Sequence, residues 1–161
     1  ITLMGGAAFG PGNITPLAEF NFHVDPHAAA IVYESGIPIT MAGLDVTRQA
    51  VLSDAALSQL DALGPRLGQP TAALLRRYKD PCLHDPVVVA WLLAPELFET
   101  VEAHVSITCT PGDAAGQSVA AVSERHRKGR APNARILTQV DRDGFEALFV
   151  GSMEALNARL R

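Results

Sequence analysis

Apolar residues along the chain fall into short runs that stop at glycine and longer runs with helical spacing. The opening ITLM (1–4) is an apolar run halted by Gly5-Gly6, the pattern of a buried strand entering a glycine loop. The loop continues to about Asn21. Asp25 then reads as an N-cap, Pro26 takes the first helical position, and Gly36 closes the helix. IPITMAG (37–43) reads as a second strand, again ending in glycine. SDAALSQLDALG (53–64) and QPTAALLRRYK (69–79) read as helices split at Gly64-Pro65. In CLHDPVVVAWLLAPELF (82–98), Asp85-Pro86 repeats the cap-then-proline start, and the apolar run after it predicts a mostly buried helix. TVEAHVSITC (100–109), QSVAAVS (117–123) and ARILTQV (134–140) read as strands of a meander. DGFEALFVGSMEALNARLR (143–161) reads as an amphipathic terminal helix, with Asp141 and Asp143 at its cap.

Strand, glycine loop, capped helix, strand is the βαβ pattern of an α/β protein. Ligands of such sheets bind beyond the carboxyl ends of the strands, which places GGAAFGPGNITPLAEFN (5–21) and GLDVT (43–47) on the binding edge. At 161 residues, with neither an internal repeat nor a low-complexity linker, the chain fits one domain. A net charge of -4 argues against a general nucleic-acid binder. Two cysteines, Cys82 and Cys109, make neither a disulfide framework nor a zinc spacing. No apolar run is long enough to span a bilayer and no signal peptide is evident, so no membrane partner and a cytoplasmic location are expected.

The binding-edge loop carries Asn13, Glu19 and Asn21, whose amide and carboxylate groups hydrogen-bond hydroxyls well, as sugar recognition requires. The alternative is that Asn13 only holds a tight turn and Glu19 is solvated. His84-Asp85 offers an imidazole beside an oxygen ligand suited to a hard cation, although Asp85 could equally be a simple N-cap. Arg125–Arg130 (RHRKGR) is the only basic run and reads as a solvated hairpin loop. His23 and His27 flank a helix start without metal-ligand spacing, and His104 lies within a strand. Arg76, Arg77 and Tyr78 end a helix, where cations suit the dipole, and could also cover a nucleobase.

In this order, LMGGAAFGPGNITPLAEFNFHVDPHAA, GIPITMAGLDVT, LHDPVVVAWLLAPELF and the closing GQSVAAVSERHRKGRAPNARILTQVDRDGFEALF resemble the inosine-uridine-preferring nucleoside hydrolase family. The resemblance implies a Rossmann-like α/β fold: a central, mostly parallel sheet flanked by helices, with a small β-meander and a terminal helix. It implies hydrolysis of the N-glycosidic bond of ribonucleosides to ribose and free base, assisted by calcium, through an oxocarbenium-like transition state. Asn13 and Glu19 match groups that bind the ribose 5′-hydroxyl, and Asn21 matches one that binds the lower hydroxyls. Asp85 matches a carboxylate that ligates calcium and touches the ribose. His84 matches a histidine proposed to protonate the leaving base, and Met4 matches a methionine close to the sugar. Dimers or tetramers are the family's assemblies.

The family also begins with an Asp-x-Asp-x-Gly-x-Asp-Asp strand-end motif that supplies most calcium ligands and the base that activates water, and nothing here matches it. Residues 1–161 are therefore expected to be the C-terminal portion of a single nucleoside hydrolase domain, inactive alone and prone to associate through an exposed strand edge. His27 stands where many relatives carry glutamate after Asp-Pro, a change of little expected effect. Two rival readings are a non-catalytic nucleoside- or ribose-binding module and a scaffold fragment.

Overall fold

The computed structural model describes residues 1–160. Five strands form one mixed sheet in the order β1-β2-β5-β3-β4: β1 (Thr2–Met4), β2 (Ile39–Ala42), β3 (Phe98–Ile107), β4 (Ser118–Ala121) and β5 (Ala134–Val140). β1, β2 and β5 run parallel, with Thr2 opposite Thr40 and Ile39 opposite Ala134. β3 pairs antiparallel with both β5 and β4. The last three strands are thus no simple meander, because β3 takes the position between β5 and β4. β1 and β4 are the edges among the described residues.

Helices cover both faces. β5 is the pivot: Ile136 and Leu137 are both fully buried, and the alternation of a strand sends them into different clusters. Ile136 joins Met41, Val105, Phe22 and Tyr33 under α1 (Phe20–Val24) and α2 (Pro26–Glu34). Leu137 joins Val46, Val87 and Phe145, from α3 (Leu44–Thr47), α6 (His84–Leu93) and α8 (Arg142–Arg159). A third cluster, built on Leu60, Ala72 and Val150, seats α4 (Asp54–Ala62) and α5 (Gly68–Arg77) against α8.

Where the sequence carries a complete set of stop signals, the helices follow them. Asp25 accepts from the Ala28 amide, Pro26 begins α2, and Gly36 is left-handed at φ 76° just past its end. Asp141 caps α8 through the Gly144 amide. The start of α6 departs from expectation. Leu83, not Asp85, is its N-cap residue, no side chain caps it, and Asp85 lies in the first turn. The cause is tertiary: the Leu83 amide donates to Ala50 O at 2.8 Å and His84 is tied to Thr47, which draws the helix entry upstream. Three short helices, α1, α3 and α7 (Glu124–Arg127), occupy stretches read as loop or strand end, and α7 turns off at Lys128, which is left-handed at φ 53°.

α6 is apolar on nearly every side, a composition that suits a helix enclosed by protein. Here Val87 and Ala90 are buried, while Val89, Leu92 and Leu93 stand exposed, the last two at 65%. With Phe145, Leu148 and Phe149 of α8, Val89 and Leu93 border an apolar groove of about 380 Å³ that has Asp85 at its rim. No helix among the described residues is long and apolar enough to cross a membrane.

Candidate functional site

The carboxyl ends of β1 and β2 open into the two segments that make the site. After Met4 the chain runs through Gly5–Gly10 with nearly every amide assigned. Gly5 N–H donates to Ala42 O at 3.2 Å, Gly6 N–H to Glu19 Oε2 at 2.9 Å, and Ala7 N–H to Ser118 Oγ at 2.9 Å. Asp45 then takes three in succession: Ala8 at 2.7 Å, Phe9 at 3.0 Å and Gly10 at 2.9 Å. Arg48 closes the series by donating to Pro11 O and Gly12 O, each at 2.9 Å. Glycine is required at position 6, where φ is +78° and a Cβ would fall 2.4 Å from Met41 Cε. Position 12 leaves no room either, since a Cβ there would sit 2.1 Å from Ala18 O.

The polar residues of the loop are tied back into it. Glu19 is buried, not solvated, and is the N-cap of α1. Its carboxylate accepts from the amides of Gly6 (2.9 Å), Asn21 (2.7 Å) and Phe22 (3.3 Å), so three oriented N–H dipoles hold a buried carboxylate. Asn13 is exposed, and its Oδ1 accepts from the Phe20 amide at 2.9 Å. Asn21 Nδ2 lies 3.2 Å from both Met4 O and Met4 Sδ, which joins these two residues at the end of β1. Phe9, Ile14 and Phe20 are exposed around these groups.

His84 sits at the entry of α6, which packs against β1. Its Nδ1 is 2.8 Å from Thr47 Oγ1 and its Nε2 is 3.1 Å from Asp80 Oδ2. Asp80 also accepts from the Cys82 amide at 3.0 Å. That amide first, and His84 second, hold the Asp80 carboxyl down at about 2. Burial, followed by the neighbouring Asp80, pushes the Cys82 thiol up to about 11. Asp85 is exposed and free of the cap role, with no hydrogen-bond partner among the described residues.

The structure thus draws Met4, Glu19 and Asn21 together at the end of β1, with Asn13 tied to the same turn. α3 links this group to His84: Asp45 and Arg48 hold residues 8–12, while Thr47 between them holds the imidazole. Arg76 is drawn off to Asp61 at 2.7 Å, and Tyr78 is exposed at the end of α5. Asp45, Thr47 and Asp80 were not singled out by sequence reasoning. The placement of GLDVT on the binding edge was the signal available for the first two; Asp80 gave none.

Calcium takes six to eight oxygen ligands. Among the described residues Asp85 is the one carboxylate of this region left unpaired, since Glu19 and Asp45 are occupied by amides and Asp80 by Cys82 and His84. The chain's own donors therefore do not fit a complete calcium site.

The sequence profile described as inosine-uridine preferring nucleoside hydrolase matches residues 1–147. The pyrimidine-specific ribonucleoside hydrolase RihA of Shewanella baltica is 45% identical over 95% of this chain and 51% of its own length. Its counterpart in Salmonella agona is 42% identical over 96% and 52%. The chain spans about half the length of these curated relatives. Among solved structures, a purine-preferring ribonucleoside hydrolase from Gardnerella vaginalis superposes with a TM-score of 0.81 at 28% identity, over 96% of this chain and 51% of that one. An inosine-guanosine nucleoside hydrolase reaches 0.82 over 94% and 50%; at 22% identity it shows the shared fold.

Proposed function

Because the chain belongs to the inosine-uridine preferring nucleoside hydrolase family, we propose that it is the C-terminal portion of a single hydrolase domain that cleaves the N-glycosidic bond of ribonucleosides. The observation that carries this reading is the double duty of α3, which holds the loop of residues 8–12 and His84 on one support. A sugar-gripping loop and a proton donor must keep a fixed separation to act on the two ends of one bond.

In this reading Asn13, Glu19, Asn21 and Met4 bind the ribose. Glu19 has three amides on its oxygens and keeps room to accept from a hydroxyl, because an ionised carboxylate offers about four acceptor positions. Departure of the base leaves positive charge on the ribose ring, so the held oxygens of Glu19 and Asn21, with the carboxylate of Asp85, stabilise the transition state more than the ground state. His84 acts as general acid. When both ring nitrogens carry protons, Nδ1–H donates to Thr47 Oγ1 and Nε2–H to Asp80. The Asp80 side chain is half exposed, and the leaving base takes its place at Nε2 to receive the proton. Asp85 contributes one ligand to the calcium ion expected of the family. The remaining ligands and the water-activating base come from outside this chain, so the chain alone is inactive. A cytoplasmic homodimer or homotetramer is the assembly proposed for the whole protein.

The test is release of free base from inosine and uridine, with calcium and with a chelator, by this chain and by a version carrying its upstream sequence. Calcium-dependent activity in the longer version alone is expected, and His84→Gln there should lower kcat by about 10²–10⁴-fold. Activity in the short chain would overturn its incompleteness. Ribose binding without cleavage by either version would favour the binding-module reading, and Asn13→Ala would separate both from a scaffold role, which predicts no loss of binding.

A further inference from the structure

Just before α6, three unlike donors converge on one point. One ligand atom each from Asp80, Cys82 and His84 lies within 4.8 Å of the others. We propose that these three side chains form a binding site for a zinc-class divalent cation, separate from the oxygen-ligated calcium position expected at Asp85. Zinc binds thiolate at ~2.3 Å and imidazole or carboxylate at ~2.0–2.2 Å, so ligand atoms around it stand roughly 3.3–3.8 Å apart. His84 Nε2 and Asp80 Oδ2 are already 3.1 Å apart, and with all three ligand atoms within 4.8 Å of one another, side-chain rotation is what closes the set to that spacing. A thiolate-imidazole-carboxylate set selects zinc or cobalt over calcium and magnesium, and water completes the coordination.

The surroundings suit such a site. Thr47 Oγ1 lies 2.8 Å from His84 Nδ1 and can accept the Nδ1 proton once a cation replaces the proton at Nε2, the outer hydrogen bond that metal-bound histidines require. The Leu83 amide is bonded to Ala50 O, and Val51 bridges to Cys82, so the segment carrying all three donors is anchored. Binding forms a metal–sulfur bond and releases one proton from Cys82 to solvent. It also occupies Nε2. Resting on the assignment of His84 as the acid, metal binding therefore silences proton delivery to the leaving base.

Titration of the tag-free chain with Co²⁺ tests the site without any need for activity. The expected result is one ion per chain with a thiolate-to-cobalt charge-transfer band that zinc displaces. The band should vanish in Cys82→Ser, weaken at least ten-fold in affinity in Asp80→Asn, and persist in Cys109→Ser. No band, a band that survives Cys82→Ser, or unchanged affinity in Asp80→Asn overturns the site. For the control of His84, micromolar zinc should inhibit the upstream-extended enzyme, with Cys82→Ser resistant. Bound cobalt together with zinc-insensitive hydrolysis would overturn that control alone, and an absence of hydrolysis in every version would count against the hydrolase reading while the cobalt band still decides the site.

Discussion

At the scale of single residues, buried polar groups mark where this chain is committed. Tyr33 is 2% exposed and its hydroxyl has no partner among the described residues, and burial holds the phenol well above its ordinary 10.0. Tyr33→Phe removes an unsatisfied hydroxyl and should stabilise the fold by about 1 kcal/mol in denaturant titrations. The sign of its pH dependence follows from linkage. The unfolded phenol ionises near 10 while the folded one stays protonated, so stability is full below that pH and is lost as pH rises beyond it. Chemical denaturation at pH 8 and pH 11 should show that loss, and Tyr33→Phe should reduce it. Glu19 is the opposite case, a buried acceptor that three amides depend on. Glu19→Ala should cost roughly 3 kcal/mol or more, since each orphaned amide costs ~1–3 kcal/mol, measured as a shift in denaturation midpoint. Asn13, Glu19 and Asn21 were legible in the sequence as a group aimed somewhere. Their backbone partners were not, because an acceptor's target is set by where the turn folds.

Among the elements, legibility tracked how local the stabilising forces are. α2 and α8 carry their own caps and stops, and both were readable. α3, four residues long, has no side-chain cap and survives only because Val46, Leu44 and Thr47 are buried beneath it. A helix that short is below what local propensity supports, so no sequence window announces it. Asp45 accordingly was legible only as part of GLDVT on the binding edge, although its partners lie 35 to 37 residues upstream. Asp45→Ala should release the amides of Ala8, Phe9 and Gly10, speeding their hydrogen exchange while the β2 and β5 amides keep their protection. The position of β3 between β5 and β4 was equally unreadable, since strand order is a matter of tertiary contact. The fold class, resting on the βαβ pattern at the chain's start, was not.

On the scale of the whole molecule, one side is finished and the other is not. The sheet face under α1 and α2 is closed by Phe22 and Tyr33, whose rings meet edge to face at 5.8 Å. The opposite side leaves Val89, Leu92 and Leu93 uncovered along α6, beside β1, an edge strand among the described residues. The isolated chain should self-associate through this surface. Leu92→Glu with Leu93→Glu should shift it toward monomer in sedimentation velocity while leaving the denaturation midpoint nearly unchanged, because both side chains are already in water. The amide series of residues 5–10 also sets a timetable. Ala7 waits for Ser118, a partner 111 residues later in the chain. A ribosome must therefore deliver almost three-quarters of these residues before the last amide of the loop at their beginning finds its partner. Until β4 arrives, the segment is fastened by Glu19, Asp45 and Arg48 alone, and the turn at Ala7 is among the last parts of these residues to be completed.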